Sequence, residues 1–427
     1  MGEKVKRKRS WFLTIVIILV SIIALGTSFL GGFFTSCVMR GNTVGTIGSI
    51  VSIMENVGYI YDPVTGEQRE LTEDDYADAL VNAFLDDYSK YYSPEEYQKQ
   101  IAESLGEYKG IGIGFYDDDV ELDMVIGNSP AYKAGLRVGD KIISAKCGDR
   151  TKNFSTATEI IEFLSTCGDN AISLYIDGKG APAVVYVNEY NASYVLYYDS
   201  EKIYEFSSDF GNNPVGVERA NTEYTDIPAG NTDTAYIKFD LFEANAAKQL
   251  NDALEYMRSR GRTKLIFDLR NNGGGYMRVL TEVASLFINN NGANSVVAYA
   301  IDKNGNREVF STYYNNYKSF ITSMVVIANE NTASASECLI GAMSHYGALG
   351  QSPKDKIVLE LNDKGIAKSY GKGIMQTTYI LRNGGALKLT TAKIYWPDAQ
   401  TCIHGTGITE GHKSSKANAV KTALDVL

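Results

Sequence analysis

The sequence predicts a multidomain α/β protein: an N-terminal transmembrane helix, a helical segment, a small β domain with two helices, and an α/β core. Three observations carry this. An uncharged apolar run, Trp11 to Met39, follows a basic tail. Short strands punctuated by glycine fill residues 106–190, and from residue 234 strands alternate with helices.

Length and charge set the bounds. A chain of 427 residues has room for several domains. Its net charge of −10, with no basic patch beyond residue 9, argues against a nucleic-acid partner. The five cysteines form no C-x-x-C pair, so neither a metal site nor a disulfide framework is expected, and no cofactor motif stands out. Cys147 and Cys167 fall in one small domain, where they either pair or stay buried thiols.

Residues 1–40 combine Lys4, Lys6, Arg7, Lys8 and Arg9 with the apolar run. A bilayer core needs about 20 apolar residues, and the positive-inside bias keeps the N-terminus cytoplasmic. The run exceeds a cleavable signal's core and lacks a clear A-x-A site, so it reads as an uncleaved anchor with the rest of the chain outside. Residues 41–105 read as helical. Ile47 to Tyr59 is periodic, Thr72 starts a second helix, and Ser93-Pro94 opens a third with serine at N-cap and proline at N1.

Residues 106–190 turn to short strands. Gly110, Gly112 and Gly114 are no phosphate loop, since no helix follows and Asp117-Asp118-Asp119 comes next. Ser129-Pro130 starts a short helix that Gly135 stops, and Thr156 caps a second through Ile160 and Leu164. Residues 191–233 are polar and read as bridging strands and loops. In 234–427, the strand Tyr236–Phe239, a helix from Ala244 to Arg258 and the strand Lys264–Leu269 form a βαβ unit.

Two turns then carry candidate chemistry. Arg270-Asn271-Asn272-Gly273-Gly274-Gly275 joins a strand to a helix, and its glycines leave N–H groups uncovered; a plain tight turn explains it as well as an oxyanion hole. Asn331-Thr332-Ala333-Ser334-Ala335-Ser336-Glu337 joins the apolar run Met324–Ala328 to a helix. Read alone, its S-x-x-E pattern favours a capping box. A serine at such a turn also aims its hydroxyl at a helix N-terminus, where negative charge is favoured. Gly371-Lys372-Gly373 supplies a lysine that would serve as its base if burial or a nearby cation destabilised the ammonium.

Taken in order, these motifs, with Gln376, Leu389-Thr390-Thr391-Ala392-Lys393 and Gly405-Thr406-Gly407-Ile408-Thr409, resemble the carboxyl-terminal processing (tail-specific) serine protease family across residues 45–410. The resemblance implies a PDZ domain at 106–190 and an α/β serine–lysine endopeptidase core. Ser334 would be the nucleophile, Lys372 the general base and Gln376 its positioning partner. The N–H groups of Ala335 and of Gly275 or Gly274 would form the oxyanion hole. Gly112, Ile113 and Gly114 would receive a peptide's C-terminal carboxylate, with Ile113, Ile160 and Leu164 bordering the pocket. The stretch from Ser334 to Lys372 is longer than the family pattern and reads as a β-hairpin insertion with polar turns at 353–365.

His345 lies three turns along the helix from Ser334, too far to be the base, and His404 in a late loop competes poorly with the lysine motif. No H-E-x-x-H exists for a zinc protease. The expected protein is a single-pass membrane peptidase with an extracytoplasmic catalytic domain. It would contact the bilayer through residues 11–39 and substrates through their C-terminal tails, with self-association left open. The alternative is a catalytically inactive, membrane-tethered peptide-binding scaffold.

Overall fold

The apolar run Met324–Ala328 is a strand buried on both faces, which is why it shows no alternation. In the computed structural model, residues 41–427 are described except 59, 62–65, 116–117, 208–216, 219–226, 229, 290–293 and 313–315. The chain divides into two units at Phe84. The first holds helices α1 (Gly41–Val57) and α2 (Glu73–Phe84), the latter opened by reciprocal bonds between Thr72 and Asp75. Among the described residues no helix is long and apolar enough to cross a membrane; the expected anchor at Trp11–Met39 lies outside them.

The second unit starts with a short strand, β1 (Lys90–Tyr92), and helix α3 (Pro94–Ser104), which Ser93 and Glu96 close as a capping box. Strand Glu107–Gly110 then pairs antiparallel with Asn188–Asn191, a two-stranded neck through which the chain enters and leaves a small module. Inside the module are β2 (Ile113–Gly114) paired with β3 (Met124–Val125), a helical turn at Pro130–Lys133, and a four-stranded antiparallel sheet covered by α4 (Ala157–Ser165). Its core includes Leu122, Leu136, Ile142, Ile160, Ile172 and Leu174. Cys147 and Cys167 are free thiols buried in it.

The remainder is a layered α/β core. Residues 191–233, expected as bridging strands and loops, contribute β4 (Ser193–Tyr198), buried along its whole length, and β5 (Ile203–Ser207). Next come β6 (Thr234–Phe239), α5 (Ala246–Ser259), β7 (Lys264–Asp268), α6 (Met277–Phe287), β8 (Ser323–Ala328), α7 (Ala335–His345) and β9 (Ile357–Glu360). Two strands of another sheet follow, β10 (Ile374–Ile380) and β11 (Ala386–Tyr395), then β12 (His412–Ser414) and α8 (Ala419–Val426).

The main sheet runs Val217–Glu218, β5, β4, β6, β7, β8, β9, β12, and its last five strands are parallel. Val195, Ile237, Phe267 and Val326 face α5, α6 and α7, while Leu196, Tyr236, Ile266 and Val325 face α8. The second sheet places β11 between β1 and Val296–Asp302, with β10 also paired to β11. The stretch read as a hairpin insertion instead supplies core strand β9, and only the turn between Leu361 and Ala367 is hairpin-like.

Candidate active site

Parallel strands deliver β7 and β8 to the same edge of the sheet, and the turns that follow are locked together. Asn329 Oδ1 accepts from Asn271 N at 2.9 Å, Asn329 Nδ2 donates to Asn271 Oδ1 at 2.8 Å, and Thr332 Oγ1 donates to Leu269 O at 2.8 Å. Ala333 N and Ser336 Oγ both donate to Asn272 O, each at 3.0 Å. Beneath them Asp268 is fully buried and paired with Arg270 at 2.5 Å, and Arg270 reaches Glu360 at 2.6 Å. Burial alone would raise the Asp268 pKa. The charges of Arg270 and Lys238 and the hydrogen bonds from Arg270 and Tyr236 reverse that and hold it low.

Ser334 stands at the head of α7 with φ 56° and ψ −115°. The ordinary N-cap serines and threonine of this chain are different: Ser93, Ser129 and Thr156 all have negative φ and ψ near 160°. A cap serving stability alone takes that relaxed conformation, whereas a non-glycine residue in a left-handed, strained one needs its surroundings to hold it. The Glu337 carboxylate does reach back to Ser334 N at 2.9 Å, as a capping box requires. It also does more. The same Oε2 accepts from Lys372 N at 2.9 Å, while Oε1 accepts from Gly371 N at 2.8 Å and from the Ser369 hydroxyl at 2.5 Å. Glu337 is completely buried, and one carboxylate therefore ties the serine turn to the lysine loop. Burial raises its pKa despite these four donors.

Gly274 packs against the serine turn. A Cβ there would lie 2.8 Å from Ser334 Cβ and 2.9 Å from both Ala333 O and Ala335 N, and its φ of +100° disfavours any side chain. Of the glycine N–H groups proposed for an oxyanion hole, that of Gly274 already donates to Asn272 Oδ1 at 3.0 Å. Gly275 forms a parallel bridge with Phe242, made by Phe242 N to Gly274 O and Tyr276 N to Phe242 O. In that pattern the N–H of Gly275 itself points away from Phe242. Of the two glycines, the N–H of Gly275 is therefore the one not committed to an Asn272 or Phe242 hydrogen bond.

Lys372 is half-buried, and its pKa is pulled down to about 8, first by burial and then by the like charge of Lys388, against the opposing pull of Asp86. Gly371 makes the burial feasible: a Cβ on it would sit 2.8 Å from Gly407 N and 3.0 Å from Thr406 N. The Lys372 amine lies 4.7 Å from the centre of the Tyr88 ring, and among the described residues no hydrogen bond joins it to Ser334 Oγ. Gln376 does not hold it either. Gln376 Nε2 donates to Thr390 Oγ1 at 3.0 Å across the β10–β11 ladder, because strand pairing after a bulge at Met375 sets its direction. Exposed His404 packs its backbone beside Gly373, and His345 ends α7.

In the small module, Ile113 lies opposite Val125, with Ile126 N donating to Gly112 O. This is a non-hydrogen-bonded pair, so the N–H and C=O of Ile113 face the open edge of β2. Gly112 has φ +80° and packs on Ser129. Leu164 is partly buried and Ile113 half-buried, but Ile160, expected to border a pocket, is fully buried in the module core because its face of α4 packs on the sheet. Sequence reading missed Tyr88, Lys388, Ser369 and the second role of Glu337. Only Glu337 left a local signal, as the last residue of the S-x-x-E pattern.

Comparison with known proteins agrees with this architecture. A model of peptidase family S41 matches residues 233–358 and 364–413, and the break between them covers the end of β9 and the turn after it. The chain is 26% identical over 354 residues to a carboxyl-terminal-processing protease of Synechocystis, covering 82% of this chain and 72% of that one. It is 26% identical over 416 residues to the carboxy-terminal processing protease CtpA of Bacillus subtilis, covering 94% and 76%. The structure of a photosystem II D1 C-terminal processing protease superposes with a TM-score of 0.50 at 21% identity, over 81% of this chain and 84% of that one.

Proposed function

From its match to a model of peptidase family S41 and its similarity to carboxyl-terminal processing proteases, we propose that the chain is a membrane-anchored, extracytoplasmic endopeptidase that works through a Ser334–Lys372 dyad. The observation that carries the dyad is the strained Ser334 backbone, tied by Glu337 to the loop of a lysine whose ammonium is disfavoured. Ser334 Oγ attacks the scissile carbonyl carbon as its proton passes to neutral Lys372 Nζ. The oxyanion is received by the N–H groups of Gly275 and Ala335. The Lys372 ammonium then protonates the leaving amine; water, deprotonated by the same lysine, attacks the acyl carbon, and the acid departs as Lys372 returns the proton to Ser334 Oγ. In this reading the amine leaves the Tyr88 ring for Ser334 when substrate fills the site; catalytic hydrogen bonds are often long or unmade in the free enzyme.

The 106–190 module acts as a PDZ domain. A substrate's C-terminal segment adds to the free edge of β2, its carboxylate held by N–H groups of the Gly112-Ile113-Gly114 turn, with Ile113 and Leu164 as apolar contacts. Residues 11–39 anchor the enzyme with residues after 40 outside the cell. The test is hydrolysis of a peptide with a free apolar C-terminus. Wild type should cleave it, while Ser334→Ala and Lys372→Ala, both folded, should not. Tail binding without turnover in wild type would instead identify a scaffold. Protection of the folded domain from protease added to intact, wall-stripped cells would refute the orientation.

A further inference from the structure

Two half-buried ammonium groups occupy one side of this site, and only one has a role so far. Lys388 lies on β11 opposite Lys90 of β1 and Thr378 of β10. Tyr88, two residues before Lys90, carries the Lys372 amine over its ring at 4.7 Å. Between them Ser89 Oγ accepts from Thr390 N at 3.1 Å, which fixes this segment to β11. Thr390 and Lys388 alternate onto the same face of the strand, the face Gln376 shares through its bond to Thr390. Lys388 and Lys372 are thus both held against the segment 88–90, and among the described residues neither amine has an ion-pair or hydrogen-bond partner.

The charged surroundings of the two differ. Lys372 faces the Tyr88 ring, Asp86 and Lys388. Lys388 faces Lys90 and the carboxylate of Glu243, whose Oε2 accepts from Tyr108 at 2.7 Å and which in turn faces Glu103 of α3. Two half-buried cations whose charges act on each other resist being charged together. Burial and Lys90 pull the Lys388 pKa down and Glu243 opposes them, whereas beside Lys372 only Asp86 opposes burial and the charge of Lys388, so Lys372 is the one assigned to give up its proton.

We propose that Lys388 is a positioning residue for the base: its positive charge beside Lys372 favours the neutral, proton-accepting form of that amine, and it acts through Lys372 rather than on substrate. The inference rests on the Ser334–Lys372 reading, and Lys372→Ala separates the two. Activity in Lys372→Ala overturns the dyad itself. With that variant dead, kcat/KM is measured from about pH 6 to about pH 10 for wild type, Lys388→Met and Lys388→Arg. Lys388→Met should move the alkaline-rising limb up by about one pH unit, lowering activity about tenfold near neutrality while leaving the alkaline plateau unchanged. Lys388→Arg, still cationic, should keep the wild-type limb. A limb that stays in place in Lys388→Met, or that moves equally in Lys388→Arg, overturns the proposal. Should Lys388→Met not fold, Lys388→Gln keeps a polar chain and is read by the same criteria.

Discussion

Replacing Glu337 by glutamine keeps the side chain's shape but removes one acceptor from a buried carboxylate that serves four donors. Whichever way the amide is turned, its NH2 group faces two donors: Ser334 N and Lys372 N on one side, or Ser369 Oγ and Gly371 N on the other. Each buried donor left unsatisfied costs about 1–3 kcal/mol, a loss of about 4 kcal/mol for two. Against this, a neutral amide escapes the desolvation that raises the Glu337 pKa, and about 1–2 kcal/mol returns. The unmet donors win, and the net destabilisation is about 2–3 kcal/mol. Catalysis should suffer more, because the turn and the lysine loop lose their common tie; misplacement of about 1 Å can cost 10²-fold. Urea unfolding gives the first quantity and kcat/KM against a tail peptide the second. A Glu337→Gln protein with wild-type midpoint and wild-type kcat/KM would show that this carboxylate neither supports nor aligns the site.

Three further outcomes are expected. Lys372 accepts a proton only when neutral and its pKa is depressed, so kcat/KM should fall about tenfold per pH unit below about 8 and level off above it; a flat profile there would exclude lysine as the base. Gly274→Ala forces a Cβ into Ser334 and Ala335 at a positive φ, and should lose at least about 10²-fold in kcat and about 2–4 kcal/mol of stability, read by single-turnover kinetics and thermal melts. Amidating a substrate's C-terminus removes the charge that the Gly112-Ile113-Gly114 turn would bind, so binding and turnover should both weaken; equal rates for acid and amide would mean that the module reads no tail.

What was readable in the sequence was local. Proline and serine at helix starts, glycines around Lys372 and the serine before α7 each act within a few residues, and the structure places them in the turns expected. Direction was harder to read. Ile160 and Leu164 share a helix face, yet only tertiary packing decides that Ile160 is sealed and Leu164 is not. Gln376 follows Lys372 at a suggestive spacing, but pairing of β10 with β11 turns it to Thr390. The buried strand Ser193–Tyr198 was hidden among polar neighbours, and only the tertiary fold covers both of its faces. Tyr88 and Lys388 carry no local pattern at all. They meet Lys372 through pairing of β1 with β11, a contact between segments nearly three hundred residues apart.

The neck of paired strands gives the molecule a modular wiring. Glu107 and Asn191 are register partners, so the chain leaves the catalytic body and returns to it at nearly one point. Such a module is grafted onto its host like a shoot on a stem. It can be cut away and the stump closed with a short turn, without re-threading the rest of the chain. The graft point is also wired to the site: Tyr108 stacks on Tyr190 across the two strands, and its hydroxyl donates to Glu243, the carboxylate that faces Lys388. The stem and the lysine pair thus share one carboxylate, so a change at the graft point and a change in the charge beside Lys388 are not independent of each other.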